Sequence, residues 1–166
     1  MLSAIMRGAA AGAAGTTALQ AATYLDMVLR GRPASSTPQR TVEKLSEKTG
    51  TAIPGDEEKQ ESRKSGLGAM LGMVTGTTVG IGYGVLREFG WRPPLLAGGA
   101  VAGVSAMIGS SAPMTVLGIT DPRTWGVSDW LSDVVPHLAY GFVAAATYEA
   151  TEHGRRQWRL RWRLSR

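Results

Sequence analysis

The chain of 166 residues contains no cysteine. That absence excludes disulfides, thiolate metal sites and a cysteine nucleophile. Histidine is almost missing, since His137 and His153 are the only two. No histidine pair stands at metal-ligand spacing, and no Ser-His-Asp order or phosphate-binding loop is visible. The glycine-rich run from Gly66 to Gly84 does not fit a dinucleotide fingerprint, because no strand precedes it. These gaps point away from an enzyme and imply neither a metal nor a cofactor.

Charge is also scarce over most of the chain. It gathers in a polar insert (residues 30–65), a short turn from Arg87 to Arg92, and a basic tail (residues 151–166). The stretches left over are 5–29, 66–86, 94–117 and 127–150. Each is about as long as the roughly 20 mostly apolar residues that cross a bilayer's hydrocarbon core. The third opens on Pro93-Pro94, where proline suits a helix start. The expected fold is therefore all-α: one membrane domain, a bundle of four transmembrane helices.

What fills these spans is small residues in place of leucine. In "GLGAMLGMVTGTTVGIGYG", Gly68, Gly72, Gly76, Gly80 and Gly84 recur at every fourth position. In water such a helix loses about 1 kcal/mol per glycine relative to alanine. Between membrane helices, small residues let backbones approach closely, and packing replaces a hydrophobic drive that lipid cannot supply. Gly8-xxx-Gly12 and Gly99-xxx-Gly103 offer matching faces on the first and third spans. The same faces allow self-association or entry into a larger membrane complex. A soluble protein can bury all-apolar core helices too, but four of them would leave little polar surface to cover them. The first span, with Arg7 and its alanine run, also has features of a cleaved signal peptide, though it lacks the leucines of a good apolar core.

Tryptophans sit at the span ends: Trp91 in the second turn, Trp125 and Trp130 before the fourth span, Trp158 and Trp162 beyond it. This is the pattern of interfacial aromatic belts. Four spans put both termini on one side. Six arginines lie between Arg155 and Arg166, which places that side in the cytoplasm by the positive-inside rule. In the tail, Arg155, Arg156, Arg159, Arg161 and Arg163 alternate with Trp158 and Trp162. An anionic headgroup surface is the expected partner, at about 1 kcal/mol per cation. The tail is tethered beside a bilayer, so nucleic acid is not expected. In the insert, Thr37-Pro38 reads as a cap with proline at the first helical position, and Gly50 as the stop. Val42 and Leu45 make that short helix amphipathic. The following "TAIPGDEEKQESRKS" reads as a polar loop.

The fourth span carries the most chemistry. Asp129, Asp133 and His137 are spaced by four and Tyr140 continues their face. His137 lies roughly 15 Å along the helix from Val127, near the bilayer centre. Ionisable groups at that depth face a protein interior or a water cavity. Asp26 in the first span can face the same locus. The group has two readings: a proton or ion relay, or a structural polar cluster that pins the bundle. Pro136 frees a carbonyl one turn back and bends the helix there.

From about Gly80 the chain resembles the YagU family of small bacterial inner-membrane proteins. The resemblance is carried by "IGYGVLREFG", "PPLLAGGAVAG", "PMTVLGITDP" and "SDVVPHLAYGF", with a weaker likeness over the first span and "RGRPASS". It implies a four-span inner-membrane protein in which the family's carboxylate and histidine correspond to Asp133 and His137. Residues 37–64 do not match. The resemblance implies no reaction, cofactor or substrate. The functional expectation is a non-enzymatic accessory, scaffold or assembly component, with a proton- or ion-linked channel or transporter as the alternative.

Overall fold

Every regular element among the described residues is helical. A computed structural model of the chain describes the backbone of residues 1–164 and the side chains of residues 1–152. The elements are α1 (Leu2–Arg30), α2 (Thr37–Thr49), α3 (Glu57–Glu88), α4 (Leu95–Val116) and α5 (Val127–Leu164), with a 3₁₀ turn at Pro122–Thr124 before α5. Their ends follow local chemistry. Helix α2 starts at Ser36 rather than Thr37 as its cap, with Pro38 in its first turn, and stops where Gly50 takes a left-handed φ of 66°.

Residues 57–65 are not the expected loop. They form the first turns of α3, because Asp56 caps them through the Lys59 N–H at 3.0 Å and Glu57 and Glu58 suit the positive helix end. The Lys59 ammonium and N–H hold the Asp56 carboxyl below the usual aspartate range. The cap thus contributes fully above the unfolded aspartate pKa and is lost as pH falls through the lowered folded value. Replacing Asp56 with alanine is expected to fray this turn, seen as faster amide exchange at Lys59 and Gln60 with the rest of α3 unchanged.

The four long helices pack with antiparallel neighbours. On α1 and α3, Gly8 faces Gly80 and Gly12 faces Gly76. On α1 and α5, Gly15 faces Tyr140 and Arg30 meets Ser128. On α4 and α5, Gly99 faces Phe142 and Gly103 faces His137. Helix α4 also rests on α3, where Gly98 lies against Tyr83. Helices α3 and α5 therefore run parallel to each other across the bundle. The core between them is Ala11, Tyr83, Ala102, Ala106, Tyr140, Ala144, Ala145 and Tyr148.

The glycines explain how close the seams are. A Cβ on Gly8 would lie 2.5 Å from the Gly80 carbonyl oxygen, and one on Gly84 2.5 Å from that of Ala4. Gly141 on α5 meets the Gly99 carbonyl and the Gly103 backbone just as tightly. Gly72 departs from the ladder, since nothing lies within 4 Å of a Cβ there. Gly68 seats Pro38 of α2, while Gly76, Gly80 and Gly84 seat α1. Gly72 falls in the gap between those two partners.

Among the described residues, two helices, α3 and α4, are long and apolar enough to cross a membrane. Helices α1 and α5 have the length, but glycine, hydroxyl-bearing, glutamine and ionisable residues lower their hydropathy.

Candidate functional site

The polar residues of the bundle fall into three groups at different levels. At one end, Asp26 accepts hydrogen bonds from Arg30 (2.5 and 2.6 Å) and from Arg32. Arg30 donates onward to the Ser128 hydroxyl at 2.7 Å and to Ser132. The C-terminal turn of α1 is so tied to the first turn of α5. Asp129 belongs to the same end but to a separate task. Its carboxylate accepts the Gly126 N–H at 3.0 Å, which is the reach-back half of a capping box. Nearby, Trp125 and Trp130 stack edge to face at 5.1 Å. Asp121 is held below the usual carboxylate range by hydrogen bonds from the Arg123 side chain and backbone.

The second group lies deeper, between α4 and α5. His137 Nδ1 is 2.7 Å from the Asp133 carbonyl oxygen and 3.2 Å from its carboxylate. Its Nε2 is 3.1 Å from Ser110 Oγ. Ser111 donates to Asp133 at 3.4 Å. The histidine is 9% exposed. Nδ1 donates to the carbonyl, and Nε2 meets the Ser110 hydroxyl, which donates to the Met107 carbonyl at 3.0 Å, so both ring nitrogens have a polar neighbour. Asp26 is not part of this group. Helix α1 is antiparallel to α5, which sets Asp26 against Ser132, while His137 turns toward α4.

Tyr140 is fully buried and takes no part in the His137 cluster. It crosses the bundle and donates to the Gly76 carbonyl at 2.6 Å. Tyr148 repeats the arrangement to Gly84 at 3.2 Å. Both pairs are eight residues apart, on α5 and on α3. Sequence reasoning missed Tyr148, although its spacing from Tyr140 equals that of Gly84 from Gly76.

The third group, also missed, closes the other end. Arg87 is 7% exposed. It pairs with Glu152 at 2.8 Å and Glu149 at 3.5 Å, and Arg92 adds a contact to Glu152 at 3.4 Å. The Tyr148 ring lies between Arg7 and Arg87, at 5.2 and 5.6 Å. The sequence signal was available: an arginine inside a glycine-rich helix, and glutamates just past an apolar one. No group of three or more histidine, aspartate or glutamate side chains forms a metal-holding set among the described residues. The tail residues Arg155, Arg156, Trp158, Arg159, Arg161, Trp162 and Arg163, and His153, lie outside the residues whose side chains are described.

No protein-family model, curated protein or solved structure matches this chain.

Proposed function

We propose that the chain is a four-span bacterial inner-membrane protein, crossing on α1, α3, α4 and α5, that serves as a non-enzymatic scaffold or accessory component. One observation carries the membrane half of this reading. The most apolar windows of α3 and α4 are only 22% and 28% buried. A soluble core helix of that hydropathy hides its apolar residues, whereas here they face outward. Leu71, Met73 and Val74 on α3, Leu96, Val104 and Ile108 on α4, and Leu131 and Val135 on α5 are all exposed. Apolar patches that continue over several helices mark a membrane or a partner. The likeness to the YagU family supports the same reading. Both termini lie in the cytoplasm in this arrangement, with the basic tail on anionic headgroups.

The scaffold half is supported by how the interior polar groups are used. Asp26, His137, Tyr140 and Tyr148 each tie one helix to another. The test is purification from native membranes in mild detergent. A partner that co-purifies in fixed stoichiometry supports a scaffold, and a lone homo-oligomer counts against it.

A proton-linked channel or transporter is favoured by one observation, the buried His137 within 3.2 Å of the Asp133 carboxylate. On that reading, wild-type protein in vesicles carries a pH-dependent proton flux and His137→Phe abolishes it. On the scaffold reading neither protein carries flux. His137→Phe then only loses the contacts to Ser110 and Asp133, worth about 0.6 kcal/mol each between membrane helices.

A further inference from the structure

Helix α2 folds back, antiparallel, along the start of α3. Pro38 sits on Gly68, and Glu43 reaches Lys64 at 3.6 Å. Between the two helices and the loop that joins them is an open groove of ≈ 750 Å³, within the size range of sites for small organic ligands. Val42 and Leu45 form one wall and Leu67 and Met70 the other, with Ile53 and Pro54 at the loop. The lining holds one charged residue, Arg63. Arg63 donates one hydrogen bond to the Pro54 carbonyl, which fixes its guanidinium at the rim.

The groove is amphiphilic along its length. Arg63 and Lys64 are the last charges of α3 before the apolar run that begins at Gly66. Leu67 and Met70 lie roughly 6 and 10 Å further along the helix. Just beyond, Leu71, Met73 and Val74 are exposed. The groove therefore opens onto the surface that faces lipid if α3 spans the membrane. A guanidinium suits a phosphate, and an apolar trough leading away from it suits a hydrocarbon chain.

We propose that this groove binds an anionic phospholipid, with one acyl chain between Leu45, Leu67 and Met70 and the phosphate on Arg63. The proposal rests on the membrane reading of α3. A water-soluble ligand would have to bring its apolar part through water to reach Met70, whereas a lipid enters sideways from the bilayer. The bound lipid would fasten α2 to the membrane surface, since α2 is otherwise held mainly by Pro38, Val42 and the Glu43–Lys64 pair.

Gly66 permits a clean test. It lines the groove, and nothing lies within 4 Å of a Cβ placed on it. Gly66→Trp should fill the trough without touching the bundle. Gly72→Trp, equally open but outside the lining, is the control. The full-length protein is reconstituted in phosphatidylcholine vesicles doped with phosphatidylglycerol that carries a diazirine in its acyl chain. Labelling is expected at Leu45, Leu67 and Met70, to fall in Gly66→Trp to the level seen with diazirine phosphatidylcholine, and to persist in Gly72→Trp. Arg63→Gln should weaken competition by unlabelled phosphatidylglycerol about five-fold, and Arg63→Lys should restore most of it. The proposal is overturned if labelling persists in Gly66→Trp, spreads evenly over α3 and α4, or is equal for the two lipids. Release of the wild-type protein from native membranes by alkaline carbonate overturns the membrane reading and the lipid site together. Retention with unchanged Gly66→Trp labelling overturns the lipid site alone.

Discussion

Gly80→Leu is expected to abolish the folded bundle. A Cβ at this position meets the Gly8 carbonyl oxygen and, at 2.5 Å, both Cα and N of Gly12. All three are backbone atoms, so no side chain can swing away. Helix α1 must move off α3 as a body, and α1 also carries the Gly15 seat for Tyr140 and the Asp26–Arg30 tie to α5. Overpacking in an adaptable core costs about 1–3 kcal/mol. A clash with three backbone atoms at once should exceed that range. The measurement is the fraction of detergent-solubilised protein that runs as a single folded species, with thermal unfolding of what remains. Gly72→Leu is the matched control, as its Cβ meets open space. It should fold normally and gain up to about 1 kcal/mol of helix propensity. Equal loss in both variants would show that glycine at every fourth position acts through something other than the α1–α3 seam.

Tyr140→Ala should be the most damaging change to α5. The ring is fully buried and packs where Gly15 has no side chain, with a Gly15 Cβ falling 2.7 Å from the ring. Truncation leaves a cavity between α1, α3 and α5, at about 3–5 kcal/mol by analogy with large aromatic deletions in cores. Tyr140→Phe separates the ring from the hydroxyl. It keeps the volume and loses only the bond to Gly76, at about 0.6–1.7 kcal/mol. Thermal midpoints of the two variants in one detergent decide between packing and hydrogen bonding. Nearly equal midpoints would mean that the hydroxyl, not the ring, holds the diagonal.

Helix content was legible in the sequence because glycine, alanine and apolar residues filled long uncharged stretches that carry no strand alternation. The end of α2 was legible to the residue at Gly50, whose positive φ needs glycine. The start of α3 was not. Its charged first turns look like loop when judged by polarity, and the Asp56 cap with acidic residues behind it was the signal to weigh instead. Gly68, Gly76, Gly80 and Gly84 all lie at seams, yet periodicity alone does not reveal that Gly72 faces the gap between α1 and α2. For the polar groups, the residue types were visible and their partners were not. Asp129, Asp133, His137 and Tyr140 share a stripe on one helix, but the stripe is wide enough to touch different neighbours. Asp129 caps its own helix, His137 turns to α4, and Tyr140 crosses to α3. Which way each turns depends on helix order around the bundle, and spacing within a single helix does not contain that. Among the described residues, α3 and α4 have the length and hydropathy that a membrane crossing needs, whereas α1 and α5 have the length alone.

The two tyrosine bonds have a mechanical meaning. Parallel rods joined by one pin can still turn; joined by two pins, about 12 Å apart along the axis, they neither turn nor slide. Helices α3 and α5 should behave as one strut. Advancing α5 by a single residue would carry each hydroxyl about 1.5 Å along and about 100° around the helix, breaking both pins at once. Motion passing between the Arg87 end and the Asp26 end should therefore travel as tilt of the whole strut rather than as a piston or screw stroke. Helix α2, seated on that strut through Pro38 and Gly68, is the lever that would swing with it.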